Sequence, residues 1–198
     1  MSKIVYLTFD HGPNEPYTSQ ILDVLKKEKV KATFFVCGAN AEFYPETIKK
    51  IVRDGHLLGN HAYFHSRLFS LLWLFKPNSL YQQINKTEET LTRIVGKRTP
   101  FFRPPYGIFA WWQKKKIAQM GKKLILWQIL VPDWKKKSTV ESMVKLILHK
   151  INNETIIVMH DGQENHHGID HSKTVSLLRK IIPFLKHQGY LFKSLPEN

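Results

Sequence analysis

"KIVYLTFDHGP", Lys3–Pro13, decides how this chain folds. Lys3–Asp10 is rich in β-branched, aromatic and aliphatic side chains, and the run stops at His11, Gly12 and Pro13. An apolar β-rich run ended by glycine and proline reads as a buried strand running into a loop. Asp10 and His11 stand at the end of that strand, and the chain repeats this arrangement several times.

Working outward, Ala32–Gly38, His56–His61, Phe101–Tyr106, Lys123–Ile129, Thr155–Asp161 and Tyr190–Leu195 have the same strand-like composition. Between them lie helical patterns with apolar residues at i, i+3 and i+4: Ile48, Ile51 and Val52, then Val144, Ile147 and Leu148, then Leu178, Ile181 and Ile182. Gly55, Gly121 and Gly189 each follow a helical pattern and precede a strand, the position where a left-handed residue ends a helix. Seven strands alternating with about six helices predict a parallel α/β sheet, because parallel neighbours need a crossover. Both an open doubly wound sheet and a closed barrel satisfy the pattern. No repeat, low-complexity tract or linker interrupts it, so residues 1–198 are expected to form one domain.

Bulk composition narrows the function. A single cysteine, Cys37, excludes an internal disulfide. The first residues lack the basic-then-apolar pattern of a signal segment, and the longest bulky apolar stretch, Leu68–Phe75, falls short of the roughly 20 residues a spanning helix needs. The parsimonious expectation is a cytoplasmic protein, although a trimmed exported chain would look the same. The formal net charge of +14 invites a nucleic-acid reading. It is carried mostly by lysine, and no helix-turn-helix, zinc-finger or aromatic RNA-binding pattern accompanies it, so no nucleic-acid partner is expected. A solvated lysine surface explains most of the charge, with weak contact to an anionic membrane or glycan as the alternative. Oligomeric state is left open.

Ionisable residues gather at strand ends: Asp10 and His11, His61 with His65, Arg103, Asp133, and His160 with Asp161. A parallel sheet sends all its strand C-termini to one edge, so these distant positions should converge. Any one of them alone would ordinarily be a loop hydrogen-bonder. Shared by one edge, they describe a site. His61 and His65, at i and i+4, lie on one face if the segment is helical and could meet on a divalent ion, with His11 as a third ligand and a position left for water. Asp10 is placed to act as a base and His160 as an acid, the components of metal-assisted hydrolysis of an acyl bond.

"TFDHGP" (Thr8–Pro13), "HAYFH" (His61–His65), "FRPPYG" (Phe102–Gly107), "PDW" (Pro132–Trp134) and "IVMH" (Ile157–His160) resemble, in order, the five motifs of the polysaccharide deacetylases, carbohydrate esterase family four. The resemblance implies a distorted, incomplete (β/α)7-type barrel with its site in a groove at the strand C-termini. It implies a metal-dependent hydrolase that removes N-acetyl, or O-acetyl, groups from an acetylated carbohydrate. By the same resemblance Asp10 would be the base and His61 and His65 metal ligands. Arg103 would hold Asp10, and Asp133 would raise the pKa of His160, the acid. The Tyr106 backbone N–H would stabilise the oxyanion, while Trp134 and Val158 would wall the acetyl pocket.

Three positions depart from the family pattern. His11 stands where a ligating aspartate is usual, Leu130 stands where another aspartate opens the "DW" motif, and the stretch after His65 is unusually apolar. A His11, His61 and His65 set predicts zinc, with cobalt or nickel as the other candidates, over oxygen-loving ions. Loss of the aspartate also raises the alternative of a degenerate family member that binds glycan without turning it over. Leu68–Phe75 is expected either to fold back and be buried or to form an exposed apolar rim.

Overall fold

The structure, a computed structural model, describes residues 3–66, 71–163 and 168–197. Among the described residues, eight parallel strand segments form one curled sheet: β1 (Lys3–His11), β2 (Thr33–Val36), β3 (Leu57–Asn60), β4 (Phe101–Phe102), β5 (Lys123–Leu124), β6 (Ile129–Leu130), β7 (Thr155–His160) and β8 (Tyr190–Lys193). Their order is β5-β4-β3-β2-β1-β7-β6. One edge of β1 pairs with β7, and the other is shared, β8 taking Lys3–Tyr6 and β2 taking Thr8–His11. The helices are α1 (Tyr17–Lys27), α2 (Gly38–Phe43), α3 (Pro45–Arg53), α4 (Pro77–Val95), α5 (Gln113–Gln119), α6 (Val140–Lys150) and α7 (Ser172–His187).

The barrel alternative is the one realised, and Lys123–Ile129 shows how. That run is not one strand. Its first residues pair with β4 on one edge, while Ile129 and Leu130 pair with β7 on the other. The Ile125 N–H donates to the Phe102 carbonyl and the Gln128 N–H to the Ile156 carbonyl, so residues 125–128 cross from edge to edge and close the curl. A strand pairs along one straight edge, and the bend needed to reach a second edge breaks it in two.

Strand alternation sorts the side chains. Val5, Leu7 and Phe9 of β1, with Ile157 and Met159 of β7, join the large core beneath the helices. Tyr6 and Ile156 point the other way, to a smaller interior cluster with Phe35 and Phe101. Thr8, Asp10, Val158 and His160 share the parity of that inner face, so a period-2 strand delivers Asp10 and His160 to the upper interior, side by side in register. Helix α7 covers the outer layer although Pro183 sits inside it. An interior proline costs about 3 kcal/mol. Leu178, Ile181, Ile182 and Leu185 are fully buried, and each burial is worth about 1.5–3 kcal/mol, so packing outweighs the proline. Gly55, Gly121 and Gly189 all adopt left-handed φ, at 78°, 74° and 81°.

Of the apolar run Leu68–Phe75, Leu68–Ser70 lies outside the described residues. Trp73 is buried, whereas Leu71, Leu72 and Phe75 are exposed. Both expectations for this run hold in part: one side chain anchors it and three face solvent.

At the strand entrance, far from the site, the buried His56 accepts a hydrogen bond at Nδ1 from the Ala32 N–H (3.2 Å). Burial, reinforced by nearby Lys31, pushes the imidazole down to about 4 from 6.5. Its folded pKa lies below its unfolded one, so the unfolded chain takes up the proton first and stability is lost as pH falls from 6.5 towards 4. His56→Gln, which keeps an acceptor and loses the titration, is expected to flatten this loss relative to the parent. Urea denaturation across that range checks it, and parallel curves for the two proteins would refute it.

Candidate active site

Arg103 follows β4 and has no exposed surface. Its Nη1 donates to Asp10 Oδ1 (2.6 Å) and to Thr8 Oγ1 (2.9 Å). Its Nε and Nη2 reach the Ile125 and Leu126 carbonyls at 3.4 and 3.3 Å, and its guanidinium lies over the Phe35 ring, 3.9 Å from the centroid. One cation thus orients Asp10 and holds the segment that closes the barrel.

Opposite Asp10, three imidazoles converge. His11, His61 and His65 each offer a nitrogen, and these atoms lie within 4.8 Å of one another. The His61–His65 segment is not helical, so the i, i+4 spacing is not what brings the two rings to one place. A turn brings the rings together instead. Ala62 takes φ 65°, and its N–H is held by Asn60 Oδ1 at 2.9 Å. His11 has φ 77°, a conformation held by Asn40 Nδ2, which donates to the His11 carbonyl (2.7 Å), and by the tight approach of Gly12 to Asp161. A Cβ at Gly12 would collide with the Asp161 carboxylate, so only glycine fits there.

The cluster fits a metal ion. His61 Nδ1 sits 2.8 Å from the Arg103 carbonyl and therefore carries the proton. His61 Nε2 is left as a bare lone pair, buried and without a hydrogen-bond partner among the described residues, 3.7 Å from Asp10 Oδ2. Burial, with repulsion from neighbouring imidazoles and, at His61, from Arg103, depresses all three histidines, His61 and His65 to about 3, so they are neutral as ligands must be.

His160 behaves oppositely. Burial pulls its pKa down, but Asp133 reverses that, with its Oδ1 2.7 Å from Nδ1 and Asp10 and Asp161 adding to the effect, so the net shift is upward. Asp133 is itself fixed by the His160 N–H and the Thr174 hydroxyl on its other oxygen. Asp161 accepts from the Gly12 N–H (3.1 Å) and the Thr18 hydroxyl (2.8 Å), and burial pushes it up to about 7.

The cavity above these groups measures about 580 Å³. Trp127, Leu130 and Trp134 give it an apolar wall, with the Trp134 ring edge-on to His160, 4.8 Å between centroids. Tyr106 packs on His65 at 4.2 Å, from a turn in which Tyr106 and Gly107 both have positive φ. Val158, expected at the acetyl pocket, lies two residues deeper on β7, fully buried beside its register partner Leu130. Five lining residues were not anticipated as such: Trp127, which lay within an expected strand, Leu130, read only as a departure from the motif pattern, and Gly162, Gln163 and His171, on loops with no periodic signal.

The polysaccharide deacetylase sequence profile matches residues 1–125. This chain belongs to the polysaccharide deacetylase family. It is 38% identical over 192 residues to a peptidoglycan-N-acetylglucosamine deacetylase of Bacillus cereus, covering 97% of this chain and 66% of that protein's length. A crystal structure of a peptidoglycan N-acetylglucosamine deacetylase bound to a naphthyl-substituted N-hydroxybenzamide superposes with a TM-score of 0.87 at 37% identity, covering 98% of this chain and 86% of that one. A family-four pseudoenzyme of Bacillus anthracis superposes with a TM-score of 0.83 at 28% identity, covering 98% and 64%. Membership therefore settles the fold, while relatives of this family include both enzymes and a pseudoenzyme.

Support for the histidine turn comes from a buried ion pair. Lys122 Nζ meets Glu88 Oε2 at 2.6 Å, both almost wholly buried, and Glu88 also receives Asn60 Nδ2 (2.8 Å) and the Thr99 N–H and hydroxyl. Glu88→Ala leaves a buried cation unpaired and frees Asn60, at an expected cost of about 3–5 kcal/mol. Denaturant unfolding should register that loss, and a change under about 1 kcal/mol would mean that water reaches Lys122.

Proposed function

We propose that this chain hydrolyses acetamido groups on a carbohydrate, releasing acetate and leaving a free amine. One observation carries the reading: three neutral imidazoles converge beside a carboxylate, across from a fourth imidazole whose pKa is raised. Neighbouring groups driven to opposite protonation states are the mark of acid–base division of labour. The same pocket chemistry admits an O-acetyl ester, which needs less help from the acid.

His11, His61 and His65 would hold one divalent ion, zinc before cobalt or nickel, since all three donors are nitrogens. A bound ion would supply Lewis acidity, polarising the acetyl carbonyl and acidifying a water beside Asp10. Asp10, oriented by Arg103, takes the proton from the attacking water as its oxygen bonds to the acetyl carbon. His160, charged through Asp133, gives a proton to the nitrogen as the carbon–nitrogen bond breaks. The Tyr106 backbone N–H is assigned to the developing oxyanion, and Trp134 with Leu130 excludes water from the methyl group.

The substrate offered first is N-acetylglucosamine in peptidoglycan fragments, after the relatives' activity, with N-acetylglucosamine oligomers and acetylated xylan as comparators. Acetate release across that panel tests the proposal. A second reading, glycan binding without turnover, is favoured by His11 in place of the usual aspartate, and metal binding with no acetate release on any substrate would select it.

Asp10→Asn and His160→Ala are each expected to lower acetate release at least about a hundredfold while leaving metal content unchanged. Near-normal turnover in either removes the mechanism. His11→Ala should weaken zinc binding by more than the roughly tenfold that even outer-shell partners cost, as read by calorimetric titration, and His11→Asp should retain binding while moving preference towards manganese and magnesium. Equal zinc affinity in His11→Ala would exclude His11 as a ligand.

A further inference from the structure

We infer that an apolar patch beside the site mouth docks on an anionic phospholipid bilayer. Two segments build it. One follows the His61–His65 turn and exposes Leu71, Leu72 and Phe75; the other follows the Pro105–Gly107 turn and exposes Trp111 and Trp112. Phe75 and Trp111 are the most exposed large apolar side chains described, at 84% and 85%.

The segments are neighbours. Gln113, buried between Trp112 and the rest of α5, donates from Nε2 to the Trp73 carbonyl (2.9 Å), and Trp73 packs in one cluster with Ile117 of α5. Each exposed group therefore flanks the same buried joint. Both segments leave the C-terminal ends of strands, β3 and β4, so the patch lies on the side of the barrel where the site opens.

Charge selects the partner. Lys76, Lys114, Lys115 and Lys116 border the patch and are all exposed. Between Asp54 and Asp133 the only acidic residues are Glu88 and Glu89, and Glu88 is consumed by Lys122. This stretch is basic throughout, so an anionic surface is attracted and a cationic or neutral one is not. Exposed tryptophan, phenylalanine and leucine on two segments joined at one buried contact favour a bilayer interface over a soluble polyanion, because they gain by leaving water for the acyl boundary. No described helix is long and apolar enough to cross a membrane, so the contact is peripheral. The inference does not depend on the deacetylase reading: binding and acetate release are separate measurements.

The test is co-sedimentation of the whole chain with vesicles of phosphatidylcholine alone or with about a third phosphatidylglycerol, with tryptophan emission followed in parallel. Partitioning is expected to be at least about tenfold stronger with anionic lipid and to shift the emission to the blue. Phe75→Ser with Trp111→Ser, both at open positions, should remove most of that binding and the shift while acetate release from a soluble substrate is unchanged. Lys114→Glu with Lys115→Glu should weaken binding to the anionic vesicles alone. Equal partitioning on the two lipids would overturn the proposal. So would anionic binding unaffected by the Phe75 and Trp111 changes, which would reduce it to diffuse lysine attraction. A dimer in sedimentation velocity that the Trp111 change dissolves would reassign the patch to a second copy of the chain.

Discussion

Arg103 has no exposed surface, so its charge has to be met inside the protein. Asp10 meets it, and the remaining donors go to Thr8 and to two carbonyls of the segment that closes the barrel. Desolvating a guanidinium is costly, and only a closed interior with these acceptors in place offsets it. Closure of the curl and orientation of the proposed base are thereby one event. The Arg103 carbonyl extends the arrangement by fixing the ring of His61, so backbone and side chain of one residue position both halves of the site.

The electrostatic pattern above that pair follows from where carboxylates fall. His11, His61 and His65 are buried deeply enough that desolvation outweighs the groups that would favour a proton, such as Asp10 beside His65, and they are held neutral. His160, at the same height and 4.9 Å from His11 between ring centroids, has Asp133 on its far nitrogen and is pushed the other way. Identical side chains are thus driven to opposite protonation states, burial prevailing on three of them and the Asp133 carboxylate on the fourth.

The apolar segments at the mouth are tied to the same scaffold. Trp73 and Gln113 anchor them by one hydrogen bond and a small core, leaving Phe75 and Trp111 outside. Their placement on the side where the cavity opens would bring a docked surface and the proposed chemistry together.

Much was legible in the chain before folding. Apolar β-rich runs alternating with glycine-ended helical patterns determined a parallel α/β sheet, because strand-like composition and the 3.6-residue period are local properties of the chain. The positions of Asp10, His61, Arg103, Asp133 and His160 at strand ends determined that they would meet, since parallel strands share one C-terminal edge. What only the tertiary structure decided were features that depend on two distant edges at once. Lys123–Ile129 reads as one strand, but closing the curl demands that it pair at both ends of the sheet, and the bend splits it. His61 and His65 have helical spacing, yet Asn60, held by Glu88 from α4, turns Ala62 left-handed and brings the rings together without a helix. Val158 shares the face of His160 but lies deeper, and Trp127, Gln163 and His171 reach the cavity on loops. Depth and loop path are set by packing against residues far away in sequence, and no local period records them.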